Sequence, residues 1–319
     1  MVRLSPPLFD RLEQATALRV EVGGSELTVA AGVSRLGLSA RWVSCLPDNP
    51  LGRMIKSRAS SFGVDTSQIM WSGRGRAGLY FVEYGAAPRA SAVLYDRAFS
   101  AFSQMSADQV NWEIVLNGAR WFHVSGITPA LGDGPRALTI AALETAKQQG
   151  CTISYDLNYR AQLWTPDQAR AFHEPLLGMV DVVFTTEEDA QRVLGVDASS
   201  YEGVAQTVHA RYGTRIVAVT IRHTPSVWRN SWSAVCFANG HLYDDVTYDV
   251  EVVDRLGAGD NFAAGFIYGL VTTSDVESAL RLGNAFAALK HTSWSDFNFA
   301  TLQETESLVA GASGLRIAR

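Results

Sequence analysis

The chain has 319 residues, of which 47% are apolar and 18% charged, and its formal net charge is −5. That length buries one large core, or one core with a small appendage. The composition is that of a globular chain, and the acidic balance argues against a nucleic-acid or anionic-membrane partner.

Cys45, Cys151 and Cys236 are an odd set without metal-type spacing. This argues against a disulfide framework or a zinc site and fits a reducing cytoplasm. The histidines are scattered, with no H-x-x-x-H pair. The opening MVRLSPPLFDRLEQ has no apolar signal region and no run approaches a membrane span, so a cytoplasmic protein is expected.

Val2–Leu4 reads as the tail of a strand closed by Pro6-Pro7, and Leu18–Val22 as a strand ending at Gly23-Gly24. Helical spacing from Thr28 to Leu36 stops at Gly37. Ala40–Leu46 reads as a strand, and Leu51–Phe62 as a helix ending at Gly63. Residues 77–84 and 91–96 are β-rich runs joined by a short loop, which predicts an antiparallel pair whose tyrosines suit a lid over a polar ligand.

From residue 118 strands and helices alternate. The strands are Trp121–Ile127, Thr152–Leu157, Val180–Thr185 and Ile216–Ile221; the helices fall at 135–149, 166–178, 187–194 and 202–212. This predicts an α/β fold with a central, mostly parallel sheet covered by helices on both faces. Thr165, Pro166 and Gln168 predict a capping box, and Asn239-Gly240 a two-residue hairpin. Helices at 276–290 and 301–309 close the chain. No repeat or linker divides it, so a single domain over 1–319 is expected, with a lid from about 10–25 and 76–104.

The stretch from 252 to 271 carries the chemistry: a strand end, the turn Gly257-Ala258-Gly259, then a helix with Asp260 in its first turn. Unpaired N–H groups and the positive end of the helix dipole converge there, which makes an anion site. An Asp after a glycine turn can simply cap a helix; beside an anion site it can also take a proton next to a phosphate. In open α/β sheets ligands bind beyond the C-terminal strand ends. The polar residues Ser125, Gly126, Thr128, Asp156, Asn158, Tyr159 and Arg160 gather at those ends, and one cleft touches them and the turn.

From Asp254 to Gly265 the pattern D-x-x-G-A-G-D-x-F-x-x-G resembles the C-terminal signature of the PfkB/ribokinase family of sugar kinases. G-G-x-E at 23–26, GLYFVEYG at 78–85, VLYDRAFSA at 93–101, FHVSGITPAL at 122–131, SYDLNYRAQLW at 154–164 and V-T-x-R at 219–222 extend it over nearly the whole chain. The branch they resemble is that of the 2-keto-3-deoxygluconate kinases. The resemblance implies a ribokinase-like fold with a small β-sheet lid that pairs into a homodimer. It also implies transfer of a phosphoryl group from ATP, with Mg²⁺ carried on the ATP phosphates and no metal site of the protein's own.

In these terms Asp260 is the general base and Gly257, Ala258 and Gly259 form the anion hole. Gly24, Tyr80, Tyr95, Arg97, Asn158 and Arg160 hold the sugar acid beside Asp260, and Arg160 bridges toward the transferring phosphate. Arg offers a planar fork of donors suited to a carboxylate, although Arg97 and Arg160 also read as surface ion pairs. Thr220, Arg222, Gly257, Gly259 and Asn284 fall on the nucleotide side, with adenine between the 221–233 loop and the helix of Asn284.

Departures from the family pattern are Thr28 for Asn, Pro47 for Gly, Thr186 and Asp189 in place of N-x-x-E, and Arg255 after Asp254. Thr186 reads equally well as a helix cap. The family's opening strand is also missing ahead of Val2, which predicts a truncated core strand and an open sugar pocket. Two alternatives stay open: a kinase for a neutral ketose such as fructose, and a catalytically weak sugar-acid or nucleotide sensor.

Overall fold

The computed structural model describes residues 1–311. β1 (Val2–Ser5) pairs antiparallel with β2 (Arg19–Val22), and α1 (Ser25–Arg35) follows at once. β3 (Ser44–Pro47), α2 (Pro50–Ser61) and β4 (Ile69–Ser72) make a parallel pair bridged by a helix. Asn49 caps that helix by accepting from the N–H groups of Leu51 and Gly52, with Pro50 pre-set for the first turn. β5 (Leu79–Glu83) and β6 (Ala92–Asp96) pair antiparallel, as expected.

β1 also pairs in parallel with β5, so the small sheet runs β2-β1-β5-β6. Val2–Ser5 is therefore an inner strand of this sheet, a segment that the sequence boundary of 10–25 left out. Four residues carry too little alternation to reveal their partner.

α3 (Trp112–Val115) leads into the alternating half: β7 (Trp121–Ser125), α4 (Ile127–Ala130), α5 (Asp133–Gln148), β8 (Thr152–Asp156), α6 (Pro166–Leu177), β9 (Val182–Thr185), α7 (Glu187–Leu194), α8 (Tyr201–Tyr212) and β10 (Ile216–Ser226). β7 to β10 are parallel. β10 then folds back onto β11 (Arg229–Ala238), which pairs antiparallel with β12 (His241–Asp244) and β13 (Tyr248–Glu251). The predicted mostly parallel sheet is thus parallel on one side only. Val227-Trp228 and Asn239-Gly240 are too short to cross over, and they enforce hairpins.

The sheet is covered on both faces, and alternation along its strands decides which residue goes where. Val183, Val217 and Val219 face the cluster formed with α5 to α8, while Val182, Phe184, Ile216 and Ala218 face α1, α9 (Ala258–Thr273) and α10 (Val276–Lys290). α11 (Leu302–Val309) packs on α10. The predicted capping box of Thr165 with Gln168 forms, and another, unpredicted one joins Thr301 and Glu304 at the last helix. Among the described residues no helix is long and apolar enough to cross a membrane.

Candidate active site

α9 owes its start to one glycine. Gly257 has φ +79°, and a Cβ there would stand 2.5 Å from the carbonyl oxygen of Asp296, so the turn is both left-handed and walled in. Upstream, the buried Asp254 accepts from the N–H of Leu256 at 3.0 Å, which tightens the approach. The first-turn N–H groups of α9 lack intrahelical partners. Gly259 sits exposed, with nothing within 4 Å of where its Cβ would be. An anion can approach that side.

Asp260 follows, and the Ser25 hydroxyl donates to its Oδ1 at 2.5 Å. Gly24, with φ +149°, breaks the chain from β2 into α1 and puts Ser25 and Glu26 in the first turn. Asn158 donates to the Ser25 oxygen at 3.2 Å, which ties the end of β8 to the same spot. Loss of solvation pushes the Asp260 carboxyl up to about 6; the Ser25 hydrogen bond opposes this, and Asp296 and Glu26 add repulsion. A carboxylate in that range takes and releases protons near neutrality.

A cavity of about 840 Å³ opens in front of Asp260. It is lined by Gly24, Tyr80, Tyr95, Arg97, Asn158, Arg160, Gly257 and Asp260, so every residue assigned to the sugar acid borders one space. Arg97 is 9% exposed, its guanidinium lies 4.3 Å from the centroid of the Tyr95 ring, and its Nε has no partner. Burial lowers its pKa; Tyr95 opposes this, and the neighbouring Arg160 adds a smaller push downward. Two cations thus share a wall, Arg97 buried and Arg160 exposed within reach of Asp156, Asp189 and Asp260. Tyr80 stacks on Tyr95, but its hydroxyl is already spent, donating to Asp296 at 2.7 Å.

The same cavity runs on between β3 and β7, strands that do not pair with each other, and is flanked there by Val29, Val33, Trp112 and Leu138.

The residues assigned to the nucleotide side are more dispersed. Thr220 and Arg222 lie on β10, Arg222 exposed. Arg255 donates to the Val227 carbonyl at 2.5 Å; burial and the nearby Arg222 lower its pKa. Asn284 does not border the cavity: it is fully buried, and its amide donates to Asp245 at 2.7 Å and to the Val246 carbonyl at 2.8 Å. It therefore braces the loop between β12 and β13 instead of facing a ligand directly.

Thr28 is also buried, and its hydroxyl has no partner and does not reach the cavity. Thr186 caps α7 by accepting from the N–H of Asp189 at 3.1 Å.

Several residues that bear on the site carried no assignment from sequence. Ser25 is one, since a lone Ser in a helix start has no distinguishing signal. Glu26 stood inside the quoted G-G-x-E; its Oε1 accepts from the N–H and hydroxyl of Ser125 and from Thr128, pinning α1 to the end of β7. Asp156, read from sequence at the strand-end cleft, and Asp189, read in the N-x-x-E position, form an acidic pair. Burial raises both pKa values; Asp260 and Asp189 repel Asp156, and Arg160 opposes the shift at each. Among the described residues no group of three or more His, Cys, Asp or Glu side chains could hold a metal ion.

A half-buried base at a helix start, the glycine that opens that helix and two neighbouring arginines, all on one cavity of a sheet covered on both faces, define a phosphotransferase acting on a small polar acceptor. The pfkB family of carbohydrate kinases matches residues 2–296, and the chain belongs to that family. It is 38% identical to the 2-dehydro-3-deoxygalactonokinase of Haloferax volcanii, covering 98% of this chain and 94% of that protein. It is 31% identical to the 5-dehydro-2-deoxygluconokinase of Shouchella clausii, over 93% of this chain and 89% of that one. Among solved structures it superposes on the 2-dehydro-3-deoxygluconokinase of Thermotoga maritima with TM-score 0.95 and 41% identity, covering 98% and 96% of the two chains.

Proposed function

We propose that this carbohydrate kinase transfers the γ-phosphoryl group of ATP to the terminal hydroxyl of a sugar acid, 2-keto-3-deoxygluconate, giving its 6-phosphate and ADP. The observation that carries this reading is the pairing, on one cavity, of Asp260 beside the glycine turn with the buried Arg97, whose Nε has no partner, and the neighbouring Arg160. A carboxylate on the acceptor gives Arg97 the partner it lacks. The relatives point the same way, since the kinases reported above are named for dehydro-deoxy sugar acids.

In the reaction the O–P bond to the acceptor's terminal oxygen forms as the bond from the γ-phosphorus to the bridging oxygen of ADP breaks. The hydroxyl proton passes to Asp260. Little covalent help is needed for such a transfer, so placement and charge neutralisation dominate. The amides of the 257–259 turn face the γ-phosphoryl oxygens, and Arg160 reaches between sugar acid and phosphate. Arg222 and Arg255 supply positive charge on the nucleotide side, and Thr220 and the loop braced by Asn284 border adenine. Asp156 and Asp189, which burial drives toward the neutral form against the pull of Arg160, would hold a magnesium ion brought in with ATP. The ion supplies charge neutralisation when bound.

Coupled ADP release over a panel of acceptors tests the reading. The expected result is turnover of 2-keto-3-deoxygluconate and kcat/KM at least about 100-fold lower for fructose, because a buried cation left unpaired is costly. Equal kcat/KM for the acid and the neutral ketose would overturn the role of Arg97.

The small sheet is also the proposed lid and dimer face. In register, Val20, Leu4, Phe81 and Leu94 form one row across its four strands. Val20 is 50% exposed and Leu94 60%. A row of that kind on an open sheet calls for cover, here by a second copy of the chain. Sedimentation should give a dimer that Leu94→Lys splits; a monomeric parent protein would remove the proposal.

A further inference from the structure

One guanidinium joins the small sheet to the turn that begins α9. Arg3, in β1, is 1% exposed. Its Nη1 lies 2.7 Å from Asp254 Oδ2 and 2.7 Å from Asp296 Oδ1, and its Nη2 donates to the hydroxyl of Tyr84, just past β5. Burial works against this charge, and the two carboxylates overcome it.

Both acids hold the turn. Asp254 accepts from the N–H of Leu256 at 3.0 Å and of Ser295 at 3.2 Å. The Asp296 carbonyl accepts from the Asn261 amide at 2.9 Å, which also donates to the Gly257 carbonyl at 2.8 Å. The Asp296 backbone is the wall against which Gly257 packs. Asp296 Oδ2 accepts from Tyr80, another residue of the small sheet, at 2.7 Å.

The site as described so far makes no use of Arg3, which does not border the cavity. We propose that Arg3 is a positioning residue, coupling the placement of the small sheet to the geometry of the Gly257–Gly259 amides. The turn then takes its working shape when the sheet sits over the cleft. The fork meets both carboxylates through one nitrogen and Tyr84 of the small sheet through the other, whereas the single ammonium of a lysine on the carboxylates leaves Tyr84 without its donor. An ion triad is not needed for stability alone, because well-packed apolar groups serve as well. The proposal rests on the kinase reading for its effect on turnover, but not for its effect on the turn.

The test is Arg3→Lys, with Tyr84→Phe as a milder second variant that leaves both ion pairs in place. Arg3→Lys should lower kcat about 100-fold, the scale of a small misplacement of reacting groups, while KM for sugar acid and ATP stays within about threefold. Tyr84→Phe should lower kcat about fivefold on the same logic. Amide exchange of the 255–262 segment should quicken in both variants, most in Arg3→Lys. A lower melting temperature with unchanged kcat and unchanged exchange at 255–262 would make Arg3 merely structural. So would a rise in KM alone. If Arg3→Lys does not fold, Tyr84→Phe decides by the same two readouts. If the parent protein phosphorylates no sugar, the kinase reading fails, and the exchange comparison still decides the coupling.

Discussion

The two walls of the cleft are built in opposite ways. Around Asp260 the side chains are held by one another: Ser25 donates to the carboxylate, Asn158 to Ser25, and Gly257 is wedged against Asp296. Across the cavity Arg97 is almost as deeply enclosed, yet its Nε has no partner and Arg160 adds like charge. The base is fixed before substrate arrives. The cationic wall is left incomplete, and an anionic acceptor supplies what it lacks, so binding energy is gained where specificity is wanted.

Removing the base should have the largest effect. Asp260→Asn is expected to lower kcat by about 10³–10⁴-fold, the upper part of the range for a positioned proton acceptor, measured by coupled ADP release on folded protein. The parent's kcat/KM should rise with pH through about 6 and then level off, as the carboxyl ionises. Stability runs the other way. Because the folded-state pKa lies above the ordinary 3.8, the folded protein holds its proton longer than the unfolded chain, and stability falls as pH rises from about 4 to about 6. Asp260→Asn removes that penalty, so its gain in melting temperature should be larger at pH 8 than at pH 4. A gain that is equal at both would break the contrast between the walls.

The cationic wall gives the next prediction. Arg97→Met should lower kcat/KM for the keto acid by about 100-fold, the cost of a lost buried charge-assisted contact, and leave a neutral ketose unaffected. Without ligand it should not destabilise the protein, because an unpaired charge is replaced by a packed apolar chain. If thermal melting shows a large loss of stability, Arg97 is a structural ion and the wall is not waiting for an acceptor.

These contrasts were unequally legible in the sequence. Long alternation announced the covered sheet, and 187–194 and 276–290 were read to the residue as α7 and α10. Glycine spacing around Asp260 announced the turn, because left-handed backbone beside a helix start leaves few residue choices. What stayed hidden depends on contacts between distant segments. Val2–Ser5 shows no pattern that assigns it to β5, some seventy-five residues away. Ser25 is an ordinary helix-start serine until α9 is brought against it. Asn284 was placed on the nucleotide side, but its amide serves the loop at 245–246. Pro47 is the last residue of β3, and nothing in the structure explains its departure from the family pattern.

The smallest effect sharpens the comparison most, because it separates fixing the base from supplying it. Ser25 holds a hydrogen bond to Asp260 that favours the ionised form and so works against desolvation. In Ser25→Ala the carboxylate loses that donor while the cavity and the glycine turn remain. The acid limb of kcat/KM should therefore move to higher pH, and kcat at pH 8, where the carboxylate is ionised in either protein, should fall only about threefold, since a neutral donor contributes modestly. Asn158→Ala supplies the control: it touches Ser25 but not Asp260, so it should raise KM for the sugar acid and leave the limb where it was. An acid limb that stays put in Ser25→Ala would mean that it reports some other group, and the Asp260 wall would lose its claim to be set in advance.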